Sequence, residues 1–217
     1  MVKGHEKIIP AAAIDLDGTL LDTNTFVDYT RYAVKSCLSN YRLDIAANML
    51  WHIALRRLRL TSHSAMKRHL LHTSAPIMTA DRLEDFAQQL AAKANEKVVE
   101  LCNRLRDNNV YLCLATAAPD NYATLVARHF GFDHCIATPT DTTIPDWTEN
   151  RAEHKLHSLQ QHLDKYHLTL LTVVTDHHDD LPLLTACTGT CYLVNPSAKT
   201  LSQVYNTLGK NNIKIIN

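Results

Sequence analysis

The 217-residue chain is most informative first through what it lacks. It has no net charge, 22 Lys and Arg balancing 22 Asp and Glu, so the summed field gives no reason to expect nucleic acid or a membrane surface as a partner. No stretch approaches the ~18 consecutive apolar residues of a membrane helix, and the charged stretch Met1–Pro10 contains no apolar segment of signal-peptide length before Ile8. A cytoplasmic location is the expectation. Six cysteines, at 37, 102, 113, 135, 187 and 191, form no CxxC pair. Several lie in apolar runs such as Leu112-Cys113-Leu114, which points to buried free thiols rather than a disulfide framework. Nor does the chain have the composition of disorder or of a low-complexity or collagen-like repeat: 46% of it is hydrophobic and 20% charged, enough to bury one core with an elaboration.

Glycine is absent throughout residues 24–80, and proline occurs there only at Pro76. The pattern is helical and rich in Leu, Ala, Tyr and Met, which predicts two to four helices. Before it, Ile8–Asp15 reads as a buried strand with Pro10 near its start. After it, Asp81-Arg82-Leu83-Glu84 resembles an N-cap with an acid three residues on. Leu83, Phe86, Leu90, Ala94, Val98, Leu101 and Leu105 continue at spacings of three and four, a long amphipathic helix for which Asn95 is the natural break. Beyond the Asn108-Asn109 turn, strands are expected at Val110–Thr116, Cys135–Thr138, Leu170–Asp176 and Cys191–Asn195, with Ile213–Ile216 as an edge. Helices are expected at Pro119–Phe130, Glu149–Tyr166, Leu181–Cys187 and Ser197–Gly209.

Alternating strands and helices predict an α/β fold, a parallel sheet covered on both faces, with an all-helical insertion after the first strand. The expected division is a core of residues 1–23 and 81–217 and a helical cap of residues 24–80. The neutral sum splits at that boundary. Residues 24–80 hold eight basic side chains (Arg31, Lys35, Arg42, Arg56, Arg57, Arg59, Lys67, Arg68) against Asp28 and Asp44, a surplus of six positive charges, and the remainder has the opposite surplus.

Ligands of open parallel sheets bind at the carboxyl ends of the strands. The sequence puts Asp15 and Asp17 after the first strand, Thr116 at the end of the second, and Asp176, Asp179 and Asp180 after the fourth. Carboxylates converging on one crevice cannot all stay ionised unless a cation joins them. A hard divalent ion, Mg2+ above all, suits oxygen ligands of this kind and attracts phosphate in turn.

Asp15-Leu16-Asp17-Gly18-Thr19-Leu20 resembles the DxDGT signature of the haloacid dehalogenase-like superfamily. Leu112-Cys113-Leu114-Ala115-Thr116, Lys155 and the loop Thr175-Asp176-His177-His178-Asp179-Asp180-Leu181 resemble its other three motifs in the right order. Thr116-Ala117-Ala118-Pro119 and Val194-Asn195-Pro196 look like its phosphoserine phosphatase-like subgroup (subfamily IB). The resemblance implies a Rossmann-like three-layer core carrying a C1-type helical cap, and a Mg2+-dependent phosphatase acting on a small phosphorylated metabolite. It further implies that Asp15 is the nucleophile forming an aspartyl phosphate and that Asp17 is the general acid and base. Mg2+ would fall to Asp15, the Asp17 backbone carbonyl and Asp176, with Asp180 holding metal-bound water or Lys155. Phosphate would be bound by Thr116, Lys155 and the amides of the Gly18 turn. Arg151 competes with Lys155 for the third motif, being on the same expected helix. A dehalogenase on the same scaffold and a phosphoryl-accepting signalling module are the alternatives; Asp17 and Asp176 together count against the first, the cap and the general acid against the second.

Three readings concern the substrate side. His52, Arg56, Arg59 and His63 fall on one stripe if their helix is unbroken, either a basic lid face or a solvated exterior. His177 and His178 depart from the small residues usual in such a loop, offering a transition-metal site or simply a polar mouth. Phosphoserine phosphatases carry a Glu about nine residues after the nucleophile to read the substrate amine. Here Asn24 stands in that place with Thr25 beside it, which argues against phosphoserine, and Asp28, one turn on, is a substitute if a helix begins there.

Overall fold

The computed structural model describes residues 8–217. The first seven residues of the expected core, with most of the N-terminal charged stretch, lie outside the described residues. Strands β1 (Ile9–Ile14), β2 (Tyr111–Pro119), β3 (His134–Thr138), β4 (Leu168–Thr175), β5 (Thr190–Val194) and β6 (Ile213–Ile216) form one sheet in the order β3-β2-β1-β4-β5-β6. Every pairing is parallel. The chain thus builds outward from β1 in one direction, then returns to its other side at β4. The crevice between β1 and β4 is the switch point where such sheets bind ligands.

The β1 sequence Ile-Pro-Ala-Ala-Ala-Ile is apolar throughout because both faces are covered. Its period of two survives in the packing. Ala11 and Ala13 join the cluster containing Leu159, Leu163 and Val204, whereas Ala12 and Ile14 join the one containing Leu112, Val126 and Leu90. Ile14 is level with Leu114 on β2 and Val174 on β4, so the polar residues that follow each strand emerge side by side.

Between β1 and β2 come α1 (Thr25–Ser39), α2 (Leu43–Arg57), α3 (His63–Ser74), α4 (Ala80–Ala91) and α5 (Glu96–Asp107). The Asn24, Ser62 and Asn95 side chains each accept an N–H of the following first turn, the capping that starts a helix. Asn95 does divide the long amphipathic stretch into α4 and α5. The N-cap of α4 is Thr79 rather than Asp81. After β2 follow α6 (Asp120–His129), α7 (Glu153–Lys165), α8 (Leu181–Ala186) and α9 (Ala198–Leu208). The helix expected over Glu149–Tyr166 begins four residues late. Ala152 has φ 50°, a left-handed conformation no helix continues, and residues 149–151 form a loop.

The insertion shares its core with the sheet. One apolar cluster runs from Ile14 and Leu114 through Tyr122 and Tyr29 to Met49 and Leu70. At its centre the Tyr29 and Tyr122 rings stack at 5.4 Å, and Phe86 meets both edge-on, at 5.9 and 5.2 Å. Both phenols are buried, and each finds a hydroxyl partner: Tyr29 Oη with Ser74 Oγ at 2.8 Å, Tyr122 Oη with Thr25 Oγ1 at 3.0 Å. Removing the Tyr122 hydroxyl leaves the buried Thr25 hydroxyl without its partner, so Tyr122→Phe should cost about 1–2 kcal/mol. Urea denaturation should show a lower midpoint with an unchanged slope.

Candidate active site

A cavity of about 540 Å³ lies over the carboxyl ends of β1, β2 and β4. Asp15, Asp17, Thr116, Lys155, Asp176, Asp180 and Asn24, all singled out from the sequence, line it. So do Arg151, His177 and Asp179. The opposite wall comes from α1, α2 and α3, through Phe26, Val27, Ile53, Met66 and Leu70. Gly18, Asp28 and Arg56 do not line it.

Of the two candidates for the third motif, Lys155 is the one that meets the carboxylates at the strand ends. It is the third residue of α7, buried at 4% side-chain exposure, with Nζ 2.9 Å from Asp15 Oδ1 and 2.7 Å from Asp180 Oδ1. Arg151 turns instead to Asp179, to which it donates. Burial works against the Lys155 ammonium, but Asp15 and Asp180 outweigh it and hold its pKa above the ordinary lysine value. For Asp15, burial is the largest influence. With help from Asp180 and Asp17 it overcomes Lys155 and pushes the carboxyl up to about 7. Both oxygens of Asp180 are engaged, Oδ1 by Lys155 and Oδ2 by the Thr175 hydroxyl at 2.7 Å. It holds the lysine, one of the two roles the resemblance implies for it.

Asp17 is held by the start of α1, where the Thr25 N–H donates to Oδ1 at 2.8 Å. Burial raises its pKa, against that hydrogen bond. Gly18 has a role other than the one expected. Its N–H is given to the carbonyls of Leu21 (2.9 Å) and Thr23 (3.2 Å) and not to the cavity. Its φ of +71° and missing side chain let Asp176 approach, since a Cβ there would sit 2.5 Å from Asp176 Oδ2. Burial raises the Asp176 carboxyl as well.

The Thr116 hydroxyl accepts the Ala118 N–H at 3.0 Å, which leaves its proton free to donate to an anion. Its carbonyl accepts from Asn150 Nδ2 at 2.9 Å. Asn150 and its neighbour Glu149 were hidden in the sequence inside an expected helix. Lys67 was counted only as one basic residue among eight. In the structure Lys67 reaches from α3 to the Ala117 carbonyl (2.8 Å) and to Glu149 Oε2 (3.2 Å), a buried tie between insertion and sheet. Nothing local in the sequence marks a pair 82 positions apart. Thr19 was visible in the motif, and its hydroxyl lies 3.5 Å from Asp15 Oδ2.

Of Asn24, Asp28 and Arg56, only Asn24 lines the cavity. Asp28 faces away from the cavity, taking hydrogen bonds from Thr23 Oγ1 (2.6 Å) and Lys93 Nζ (2.7 Å). Asn24 spends its side-chain oxygen on capping Val27. The stripe through Arg56 is broken, because α2 ends at Arg57 and Arg59 has φ 61°. His63 alone of that stripe lines the cavity, from the first turn of α3, while His52 stacks on His69. In the acidic loop, His177 Nδ1 accepts the Asp179 N–H, and His178 Nδ1 lies 3.4 Å from Thr200 Oγ1. His177, His178 and Asp179 do bring three ligand atoms within 4.8 Å of one another. Arg151 already occupies that carboxylate, which suits the polar-mouth reading.

The sequence matches the model of the haloacid dehalogenase-like hydrolases over residues 12–185. No curated protein matches it in sequence. Among solved structures, a protein of unknown function from Bordetella pertussis Tohama I is similar with TM-score 0.73 and 21% identity, over 97% of this chain and 99% of that one. A HAD family hydrolase from Salmonella enterica serovar Typhi has TM-score 0.64 and 11% identity over 91% and 67%. A phospho-aspartyl intermediate analogue of phosphoserine phosphatase has TM-score 0.60 and 12% identity over 97% and 94%. These likenesses show the same Rossmann-like fold. With four motifs gathered in one cavity and the family match spanning most of its length, the chain belongs to the haloacid dehalogenase-like hydrolases.

Proposed function

We propose that the protein is a Mg2+-dependent phosphatase that hydrolyses a small phosphomonoester through an aspartyl phosphate on Asp15. Residues 1–23 and 81–217 serve as the catalytic core and 24–80 as the cap. The observation that carries the reading is the Lys155 ammonium 2.9 Å from Asp15 Oδ1, beside an Asp17 held on the Thr25 amide in the same cavity.

The residues fit a hard divalent cation. Asp15, Asp17, Asp176 and Asp180 face the same cavity; Lys155 pairs with two of them, while Lys67 is taken by Glu149 and Arg151 by Asp179, and burial raises three of the four carboxyls. That set is short of positive charge, and Gly18 keeps open the cradle in which Asp176 sits. Asp15, Asp176 and the Asp17 carbonyl would hold the ion. Bound there, Mg2+ neutralises phosphate oxygens and keeps Asp15 ionised at neutral pH.

Phosphoryl transfer is mainly positioning and charge stabilisation. Lys155 and the Thr116 hydroxyl hold phosphate oxygens while an Asp15 oxygen attacks phosphorus and the bond to the ester oxygen breaks. Asp17, whose raised pKa suits a proton donor, protonates the departing alkoxide. It then takes a proton from water as that water attacks phosphorus, the Asp15–phosphorus bond breaks and inorganic phosphate leaves. Neither position expected of an amine reader offers a free carboxylate to the cavity, since Asn24 caps α1 and Asp28 is bound to Thr23 and Lys93. The wall of Phe26, Val27, Ile53, Met66 and Leu70 suits an apolar leaving group better than a serine.

Asp15→Asn should lower turnover of p-nitrophenyl phosphate by on the order of 10³-fold or more with the circular dichroism unchanged, and EDTA should abolish wild-type turnover until Mg2+ is restored. Activity retained in the variant would remove Asp15 from the nucleophile's role.

Proton linkage gives a second test. The folded, metal-free protein keeps a proton on Asp15 up to about pH 7, whereas the unfolded chain releases it near 3.8. Stability present below 3.8 is therefore lost as pH rises through about 7. In EDTA, Asp15→Asn should gain on the wild type in unfolding free energy between pH 4 and 7, and saturating Mg2+ should shrink that margin. A margin independent of pH would contradict the charge shortfall.

A further inference from the structure

The outer surface of the α1–α2 hairpin is unlike the rest of the molecule. On α2 only Ile45, Ala46 and Met49 are buried, and Leu43, Leu50, Trp51 and Leu58 face solvent, Trp51 at 62% and Leu58 at 69% exposure. Positions 43, 50, 51 and 58 recur at intervals that keep one helix face. Tyr41 and Leu60, in the turns at either end of α2, are exposed as well, and Leu38 adds the end of α1. Among the described residues, seven of the thirteen large hydrophobic side chains that stand exposed, from Leu38 to Leu60, belong to this region, a concentration scattered surface leucines do not show.

Basic groups outnumber acidic ones among them, Asp28 pairing with Arg31 at 3.5 Å. Arg31, Lys35, Arg57 and Arg59 are exposed on or beside this face. Asp44 is the single acidic side chain between Tyr29 and Ala80, and Arg42 neutralises it at 2.9 Å. A groove of about 460 Å³ lined by Val34, Leu38, Leu50, Ile53 and Ala54 runs between α1 and α2. Thr30, Arg31, Ile53 and Arg57 belong both to this groove and to the catalytic cavity, so the face opens onto the site.

We propose that this face docks on an anionic lipid bilayer, its leucines and Trp51 entering the headgroup boundary while the arginines and Lys35 meet the lipid phosphates. Helices with an apolar stripe and a basic border bind membranes in this way, and Trp favours that boundary. A two-fold pairing of two copies would bring basic groups against basic groups, whereas anionic headgroups complement them. No helix among the described residues is long and apolar enough to cross a membrane, and this contact lies on the surface without crossing.

The test uses vesicles of phosphatidylcholine containing roughly one-third phosphatidylglycerol, with pure phosphatidylcholine as control. The wild type should co-sediment with the anionic vesicles, less so as salt rises. Trp147 is 9% exposed, so a blue shift of tryptophan emission, with quenching by brominated acyl chains, reports Trp51. Leu50→Ser with Trp51→Ser, and separately Lys35→Glu with Arg59→Glu, should each weaken partition about tenfold or more, leaving p-nitrophenyl phosphate turnover unchanged. Three results would overturn the proposal: no co-sedimentation with anionic vesicles, binding that neither double variant weakens, or a dimer by light scattering that Leu50→Ser with Trp51→Ser dissociates while vesicles go unbound. Because binding is read without turnover, its failure leaves the phosphatase reading standing, and the converse holds.

Discussion

One buried ammonium organises the site. Lys155 lies between Asp15, at the end of β1, and Asp180, at the end of the loop after β4, within 3 Å of both. It thereby joins the two sides of the switch-point crevice. A charged side chain this buried survives only by being paired, and here the pairing fixes the orientation of the proposed nucleophile. Asp180 is in turn fixed by the Thr175 hydroxyl, so the chain of contacts ends in the sheet. One lysine does not balance the carboxylates around it. The proposed cation would answer that shortfall, in the place that Gly18 leaves for Asp176.

The sheet was legible because each of its elements carries a local mark. β1 is a short apolar run ended by Asp-Leu-Asp-Gly-Thr, α6 is closed by Gly131, and Asn95 starts α5. The parts that were misread lack such marks. In residues 24–80, where glycine is absent, the left-handed turns fall on Tyr41 and Arg59, residue types that give no signal of a turn, and the stripe through Arg56 looked continuous for that reason. Ala152 hides the start of α7 in the same way. The contacts of Lys67 with Glu149 and of Asn150 with Thr116 span 82 and 34 positions. Such tertiary meetings of ordinary residues leave no trace in local pattern.

The vanishing net charge acquires a spatial meaning. Negative charge gathers at the carboxyl ends of the strands, where burial makes a cation favourable. Positive charge lies on the helical insertion, much of it on a face whose hydrophobic side chains found no place in the shared core. Tyr29, Tyr122 and Phe86 bind that insertion to the sheet, and Lys67 crosses the cavity to the opposite wall. The insertion therefore meets the catalytic centre on its inner side and offers an apolar, basic surface on its outer side.

The central claim is that Asp15 itself carries the phosphoryl group. The most direct measurement is mass spectrometry of enzyme acid-quenched during turnover of an aryl phosphate, using Asp17→Asn so that attack on the intermediate by water is slowed while the aryl oxide still departs unaided. The account predicts one phosphoryl group on the peptide containing Asp15, located on that residue. Turnover with Asp15 unmodified, or a phosphoryl group on His177 or another side chain, would contradict it.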